Sequence, residues 1–316
     1  MIEVKNLSVQ TSKGVVLLDR VEFTLTPGVC TGLTGASGSG KTTLLKAMMG
    51  VSDGDVSINS GQILLDGEDL LKKPEKVRRD LCGTTLGFIP QNPMTAFNLH
   101  VPVGTQMTET FRKRLRLDKN AALKLSMEAL QKVNLLDTDR VYRSYPGQLS
   151  GGMLQRVTMA ILIGLSPRYI FADEPTSALD EENKTYLIQE LMRMKQQAAI
   201  LFVSHDDGAI RTLCDDLLVM QSGTIVECGA AADLFAAPHK EWTKEFVRKE
   251  VAGHGGNQSP KCKQRFFGCL RQAFSCAKGH FIYVEQRGKY QFHRGKRQWE
   301  KYNGPPPDWF GAPHRW

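Results

Sequence analysis

Gly35-Ala36-Ser37-Gly38-Ser39-Gly40-Lys41-Thr42-Thr43 is the stretch that decides the fold. It follows the stretch 29–33, which predicts a short strand, and it opens a helical pattern that ends before Gly50. Glycines let a backbone wrap a phosphate, and the N–H groups at a helix start supply positive potential. A chance Gly/Ser connector would lack the strand, the lysine and the threonine. The stretch therefore predicts a phosphate-binding loop, with Lys41 on β- and γ-phosphates and Thr42 on Mg²⁺.

A second glycine turn, Leu149-Ser150-Gly151-Gly152-Met153-Leu154-Gln155-Arg156, opens an apolar helix far along the chain. The backbone N–H groups at the start of that helix favour an anion, as in the first loop. Few proteins with a phosphate-binding loop carry both stretches. The presence of both stretches therefore restricts the classes of nucleotide-binding protein to which the chain can belong.

Polar residues follow three apolar runs that predict buried strands. Asp173-Glu174 ends the run 169–172, His205 follows 200–203, and Gln91 follows 86–89. Open α/β sheets bind ligands at the carboxyl ends of their strands. One carboxylate there can hold Mg²⁺ through water while its neighbour polarises an attacking water. Without a functional role, Asp173 and Glu174 would be two solvated acids, His205 a structural histidine and Gln91 an ordinary polar residue.

The order of the elements predicts an α/β fold. Strand patterns alternate with helical ones, and an all-helical insert occupies about residues 92–165. This order implies a mostly parallel core sheet with an antiparallel β edge and a helical subdomain. We predict one domain over residues 1–250 and a small C-terminal extension over 251–316.

The extension differs from the rest of the chain in composition. It holds 12 Lys and Arg against 3 Asp and Glu, and 12 of the 25 aromatic residues, so the net charge of +8 arises there. No apolar run reaches the ~20 residues that span a bilayer, and the N-terminal sequence lacks a signal-peptide pattern. We therefore expect a cytosolic chain whose 7 cysteines are thiols or metal ligands.

These motifs together resemble the nucleotide-binding domains of ABC transporters. The resemblance covers roughly residues 1–250 and rests on the order of six motifs: the phosphate loop, Gln91, Leu149-Ser-Gly-Gly152, Asp173-Glu174, Ser177-Ala-Leu-Asp180 and Ser204-His205. It implies a P-loop NTPase of ABC type that hydrolyses ATP in a head-to-tail dimer. Each ATP would lie between one subunit's phosphate loop and the other's Ser-Gly-Gly turn.

The resemblance also implies a role for each motif residue. Glu174 is the expected general base, with His205 and Gln91 completing the catalytic set, and Thr42, Gln91 and Asp173 are the expected Mg²⁺ ligands. Ser150, Gly151, Gly152 and Asp180 would act in trans on the partner's ATP. The expected nucleotide-binding residues are Gly35, Ala36, Ser37, Gly38, Ser39, Gly40, Lys41, Thr42, Thr43, Gln91, Asp173, Glu174 and His205.

Three local stretches are similar to the dipeptide, oligopeptide and nickel importers: 91–98, 145–156 and 203–206. The resemblance implies a bacterial importer ATPase at the cytoplasmic face of the plasma membrane, coupled to uptake of peptides, nickel or a metal chelate. Its expected partners are transmembrane permease subunits, a second ATPase that is often a related chain, and indirectly an extracytoplasmic substrate-binding protein. No nucleic acid is expected.

Two features depart from the family pattern. Members usually stack adenine on an aromatic ring near the end of the first strand, where this chain has Thr11. Many importer ATPases also end in four cysteines, in some binding an iron–sulfur cluster; here Cys262, Cys269 and Cys276 recur at seven-residue steps and His293 stands near the fourth position. Either an iron–sulfur cluster or zinc bound by these residues, or a metal-free packed tail, fits this pattern.

Two other classes of function are compatible with parts of the sequence. An ABC-type ATPase acting on ribosomes usually carries two such domains, and one acting on DNA carries long heptad coils; the chain has neither. A metal-responsive regulatory protein would rest on the tail alone. The importer hypothesis uses all the motifs.

Overall fold

The computed structural model describes residues 1–50, 55–135, 137–252, 284–286 and 289–291. The chain divides into two compact units, Met1–Ser275 and Cys276–Trp316. In the second unit the described part is one antiparallel strand pair. The predicted division at residue 250 stays a prediction. Among the described residues, no helix has the length and apolar character needed to cross a membrane.

In chain order the strands are β1 (Ile2–Thr11), β2 (Val16–Leu25), β3 (Cys30–Gly35), β4 (Val56–Leu65), β5 (Glu68–Asp69), β6 (Leu86–Ile89), β7 (Tyr169–Asp173), β8 (Ala199–Val203), β9 (Asp216–Gln221), β10 (Thr224–Ala230), β11 (Val284–Gln286) and β12 (Lys289–Gln291). The helices are α1 (Lys41–Met48), α2 (Glu75–Leu81), α3 (Val103–Arg114), α4 (Lys119–Lys132), α5 (Thr138–Arg143), α6 (Gly151–Leu165), α7 (Glu181–Lys195), α8 (Asp207–Leu213), α9 (Ala231–Ala236) and α10 (Glu241–Ala252).

The core sheet has six strands in the order β10-β9-β3-β8-β7-β6. Its strands are parallel except for β10, which pairs antiparallel with β9. Every residue of β3, β6, β7 and β8 is buried. Continuous burial of this kind is typical of parallel strands covered on both faces. The predicted mostly parallel core sheet is confirmed.

The antiparallel part is a separate sheet of four strands in the order β2-β1-β4-β5. Burial alternates along β1 and β2, as expected for strands that bury one face. Tyr169, Phe171 and Leu201 of the core sheet share an apolar cluster with residues of this second sheet and of α1. The alternate residues Ile170 and Phe202 belong to a second cluster with α6 and α7. The period-two alternation of β7 and β8 thus places a core on each face of the central sheet.

The helical insert consists of α3 to α6. Three of its helices begin at side chains that accept backbone N–H bonds: Asp118 for α4, Asp137 for α5 and Ser150 for α6. Such N-caps satisfy N–H groups that have no partner within the helix. The insert leaves the core sheet after edge strand β6 and returns to it at β7, so Gln91 stands at the joint.

Candidate functional site

The phosphate loop joins β3 to α1 at the middle of the core sheet. Gly35 has a φ of +154°, and a Cβ there would lie 2.0 Å from the carbonyl oxygen of Met220 on β9. Real Cβ atoms do not approach backbone this closely, so β9 excludes any side chain at this position. The sequence pattern explains the glycine by phosphate contact. The structure gives a second reason, which is the close packing of this position against β9.

Lys41 folds back over the loop that precedes it. Its Nζ donates to the carbonyl oxygens of Gly35, at 2.7 Å, and Ala36, at 3.0 Å. The side chain is buried, and burial lowers the pKa of its ammonium group while the carboxylates of Glu174 and Asp173 raise it. The two acids therefore lie within electrostatic reach of the loop, as the sequence predicted.

Asp173 ends β7 and faces the start of α1. Thr42 Oγ1 donates to its Oδ2 at 3.5 Å, and the residue is only 6% exposed. Burial, reinforced by the charge of Glu174, raises the pKa of Asp173 to about 6, against the opposing influence of Lys41. A hydroxyl beside a desolvated carboxylate is a donor set that suits Mg²⁺.

Glu174 joins the ends of three neighbouring strands. Its Oε2 accepts from Gln91 Nε2 at 2.9 Å, and its Oε1 lies 3.2 Å from Nε2 of His205. Its backbone N–H donates to Val203 of β8 at 2.9 Å, and its φ of +44° is unusual for a non-glycine residue. The carboxylate is thus held between side chains that follow β6 and β8. The structure brings together Gln91, Glu174 and His205.

The Ser-Gly-Gly turn begins α6. Ser150 caps the helix by accepting from the backbone N–H of Met153, and Gly151 is exposed with open space where a Cβ would stand. Gly152 lies against Asn183, since a Cβ there would be 2.7 Å from the amide Nδ2. The turn therefore presents its first glycine to solvent and packs its second against α7.

Asp180 caps α7 and is tied to Asn183. Its carboxylate accepts from the backbone N–H of Asn183 at 2.8 Å and from the side-chain amide at 2.9 and 3.0 Å. Asn183 Oδ1 in turn accepts from Arg156 Nε of α6 at 3.3 Å. One amide therefore connects the Asp180 segment with the helix that carries Ser150 to Gly152.

The sequence reasoning assigned no role to two residues of this region. Ser177 accepts a bond from Gln91 Nε2 at 3.2 Å, alongside Glu174. Asn183, three residues after the cap Asp180, carries the link between α6 and α7. The capping-box pattern has Glu or Gln three residues after the N-cap, so Asn183 at that position carries no such local signal.

Thr11 lies where a stacking ring was expected and makes local bonds instead. Its Oγ1 accepts from the backbone N–H of Val15 at 3.1 Å, and its own N–H donates to Val15 at 2.9 Å. Val15 and Val16 are largely exposed beyond it. These bonds fix a tight turn at the end of β1.

The predicted metal site of the C-terminal extension concerns residues outside the described part of the chain. Cys262, Cys269, Cys276 and His293 all fall there. Within the described ranges no group of three or more His, Cys, Asp and Glu side chains is arranged to hold a metal ion. The iron–sulfur or zinc site stays a prediction.

Comparison with known proteins decides the family. The family model described as ABC transporter matches residues 18–177. The metal-staphylopine import system ATP-binding protein CntD of Staphylococcus aureus is 32% identical over 259 residues, covering 80% of this chain and 95% of that protein. The chain belongs to the ABC transporter family. It is an ATPase of ABC type, and the predicted activity is confirmed.

Other relatives of this ABC ATPase are also importer subunits by name. The probable D,D-dipeptide transport ATP-binding protein DdpD of Escherichia coli is 37% identical over 232 residues, 72% of this chain and 70% of that protein. The oligopeptide transport ATP-binding protein OppD of Bacillus subtilis is 34% identical over 249 residues, 77% of this chain and 70% of that protein. The predicted likeness to peptide importer ATPases is confirmed.

A solved structure supports the fold. The dimeric structure of MJ0796, a bacterial ABC transporter cassette, matches with a TM-score of 0.65 and 23% identity, covering 73% of this chain and 99% of that chain. At this identity the likeness concerns the fold, and it confirms the predicted cassette architecture of the main domain.

Proposed function

We propose that this chain is the ATP-hydrolysing subunit of a bacterial ABC importer that takes up peptides, nickel or a metal chelate. Three observations support the proposal: the site geometry, the family, and relatives named for import of metal-staphylopine, dipeptides and oligopeptides. The chain would act at the cytoplasmic face of the membrane with permease subunits, a second ATPase and, indirectly, an extracytoplasmic substrate-binding protein.

The contact of Glu174 with both Gln91 and His205 is the observation that carries the proposal. A carboxylate held by two side chains from neighbouring strands is fixed in place, as a general base must be. Glu174 would take the proton of the attacking water. His205 and Gln91 would each orient the carboxylate of Glu174 through their own Nε2 atom. The amide oxygen of Gln91 takes part in neither contact.

The loop side of the site would bind the nucleotide. Lys41 and the backbone N–H groups of the loop would hold the phosphates, with Ala36, Ser37 and Gly38 at its exposed turn. Thr42, Asp173 and the amide oxygen of Gln91 would hold Mg²⁺, which when bound neutralises phosphate charge. Thr42 and Asp173 already lie within hydrogen-bonding distance, so the residues fit the ion.

The Ser-Gly-Gly turn would complete the site of a second ATPase. Ser150 and Gly151 are exposed at the start of α6, where backbone N–H groups and the helix dipole favour an anion. Asp180 is exposed at the start of α7 and would lie at the same interface. In this arrangement a monomer holds parts of two different ATP sites.

The test combines copurification with hydrolysis. The tagged chain would be purified from detergent-solubilised membranes of its native cell, and ATPase activity compared between wild type and Glu174→Gln. We expect permease subunits in the sample and a loss of hydrolysis of 100-fold or more with ATP binding retained, the order of magnitude found for a lost general base. The matched control is Glu128→Gln, an exposed carboxylate on α4, which should leave activity unchanged. Recovery without any permease, or full hydrolysis by Glu174→Gln, would refute the proposal.

A further inference from the structure

Two buried cysteines meet in the core, away from the nucleotide site. Cys30 begins β3 and Cys214 follows α8; their Sγ atoms are 3.7 Å apart although 184 residues separate them in the sequence. Cys30 is 0% exposed and Cys214 is 9% exposed. None of the roles derived above uses either thiol.

The backbone already holds the two residues at crosslinking range. The N–H of Asp215 donates to the carbonyl oxygen of Cys30 at 2.8 Å, and the N–H of Cys30 donates to the Asp215 carboxylate at 2.8 Å. Lys195 fixes that carboxylate at 2.9 and 3.0 Å, and Thr31 pairs with Asp216 in the parallel register. An S–S bond of about 2.0 Å requires the sulfurs to approach by about 1.7 Å from their present separation.

We propose that Cys30 and Cys214 are a redox-modification site that closes to an intramolecular disulfide when a peroxide is the oxidant. The more exposed thiol, Cys214, attacks one peroxide oxygen as its thiolate, giving a sulfenic acid and releasing the first water after protonation. Cys30 then attacks Sγ of Cys214: the S–S bond forms, the S–O bond of the sulfenic acid breaks, and the leaving hydroxide takes the proton of Cys30 and departs as the second water. Two thiols lose two electrons in total, and hydrogen peroxide is reduced to two waters.

The surroundings assign different parts to the two thiols. Burial, together with the neighbouring thiol of Cys214, raises the pKa of Cys30, which makes Cys30 the poorer first nucleophile. Cys214 has the greater access to solvent. The order of attack follows from this difference.

The crosslink would stabilise the fold without blocking the nucleotide site. Cys30 lies at the end of β3 opposite the phosphate loop, and Cys214 lies at the end of α8 opposite His205. A disulfide that closes a long loop restricts the unfolded chain, so we expect the melting temperature to rise by about 5 to 10 °C. Nucleotide binding should change by less than about twofold because no bond of the phosphate loop is touched.

The experiment follows the thiols of the full chain during titration with hydrogen peroxide. Free thiols are alkylated, the protein is digested without reduction, and crosslinked peptides are identified by mass spectrometry; melting temperature is measured before and after, and again after dithiothreitol. We expect a Cys30–Cys214 peptide, a higher melting temperature and reversal of both. Cys214→Ser should abolish both effects, while Cys228→Ser, which removes an exposed thiol, should keep them.

Two results would overturn the proposal. One is full oxidation of Cys228 while Cys30 and Cys214 stay reduced, and the other is pairing of either residue with a different cysteine. Mapping on the unmodified sequence decides the matter even where the serine variant fails to fold.

Discussion

Asp173→Asn should stabilise the protein while impairing its function. The carboxylate of Asp173 is 6% exposed and next to Glu174, and these surroundings raise its pKa from 3.8 to about 6. A raised acid pKa means that ionisation opposes folding. Ionised Asp173 therefore lowers the free energy of unfolding, and an asparagine of the same shape avoids this loss.

The magnitude follows from the size of the pKa shift. Below pH 3.8 the group is protonated in both states and costs nothing; the penalty builds as the pH rises from 3.8 to about 6 and is constant above that. The full shift corresponds to about 3 kcal/mol. Asp173→Asn should gain about that amount at pH 8 and about half of it at pH 5. At pH 8 this is a rise in melting temperature of roughly 6 to 12 °C.

The assay is thermal and urea unfolding at pH 8 and pH 5, without nucleotide or Mg²⁺. The control Glu128→Gln changes an exposed carboxylate and should shift the free energy of unfolding by less than about 0.5 kcal/mol. A second measurement adds MgATP, which should raise the melting temperature of wild type more than that of the variant. A variant no more stable than wild type at pH 8, or equally stabilised at both pH values, would refute the reasoning.

Three further substitutions test separate parts of the site. Gly35→Ala places a Cβ 2.0 Å from the Met220 carbonyl; we expect a loss of about 3 kcal/mol, the upper end of the usual cost of core overpacking, in urea unfolding, and wild-type stability would contradict the packing argument. Lys41→Met should weaken ATP binding by about 100-fold, the order of magnitude of one charged hydrogen bond, measured by calorimetry on protein whose circular dichroism is unchanged. Asn183→Ala should lower kcat about tenfold with KM nearly constant; an effect on KM alone would argue against the α6–α7 link.

Local sequence signals predicted the strand ends and the loop. The run before Asp173 is continuous and apolar, which is what a parallel strand buried on both faces requires. Glycine, lysine and threonine in fixed order then identify the loop. Likewise the polar residues at 91, 173, 174 and 205 stand directly after such runs, so their convergence followed from strand parallelism.

Contacts between distant segments were not predictable in the same way. Nothing local to Asn183 shows that its amide meets Arg156, because the contact depends on how α6 crosses α7. The separation of β1, β2, β4 and β5 into a second sheet depends on pairing across long loops. The contact between the thiols of Cys30 and Cys214 arises from the register of β3 and β9. Which distant segments meet is a tertiary property that local patterns in a single sequence do not contain.

The two bonds from Lys41 to Gly35 and Ala36 turn ligand entry into an exchange reaction. A ligand must release the ammonium from two neutral carbonyls, and it regains that energy only where it offers an anionic oxygen at the same place. Charge-assisted bonds are worth about 1.5–3 kcal/mol, so a ligand that displaces the ammonium without offering it an anionic oxygen is disfavoured by roughly 10- to 100-fold. The loop thereby favours ligands whose phosphate chain is long enough to reach Lys41, before any hydrolysis takes place.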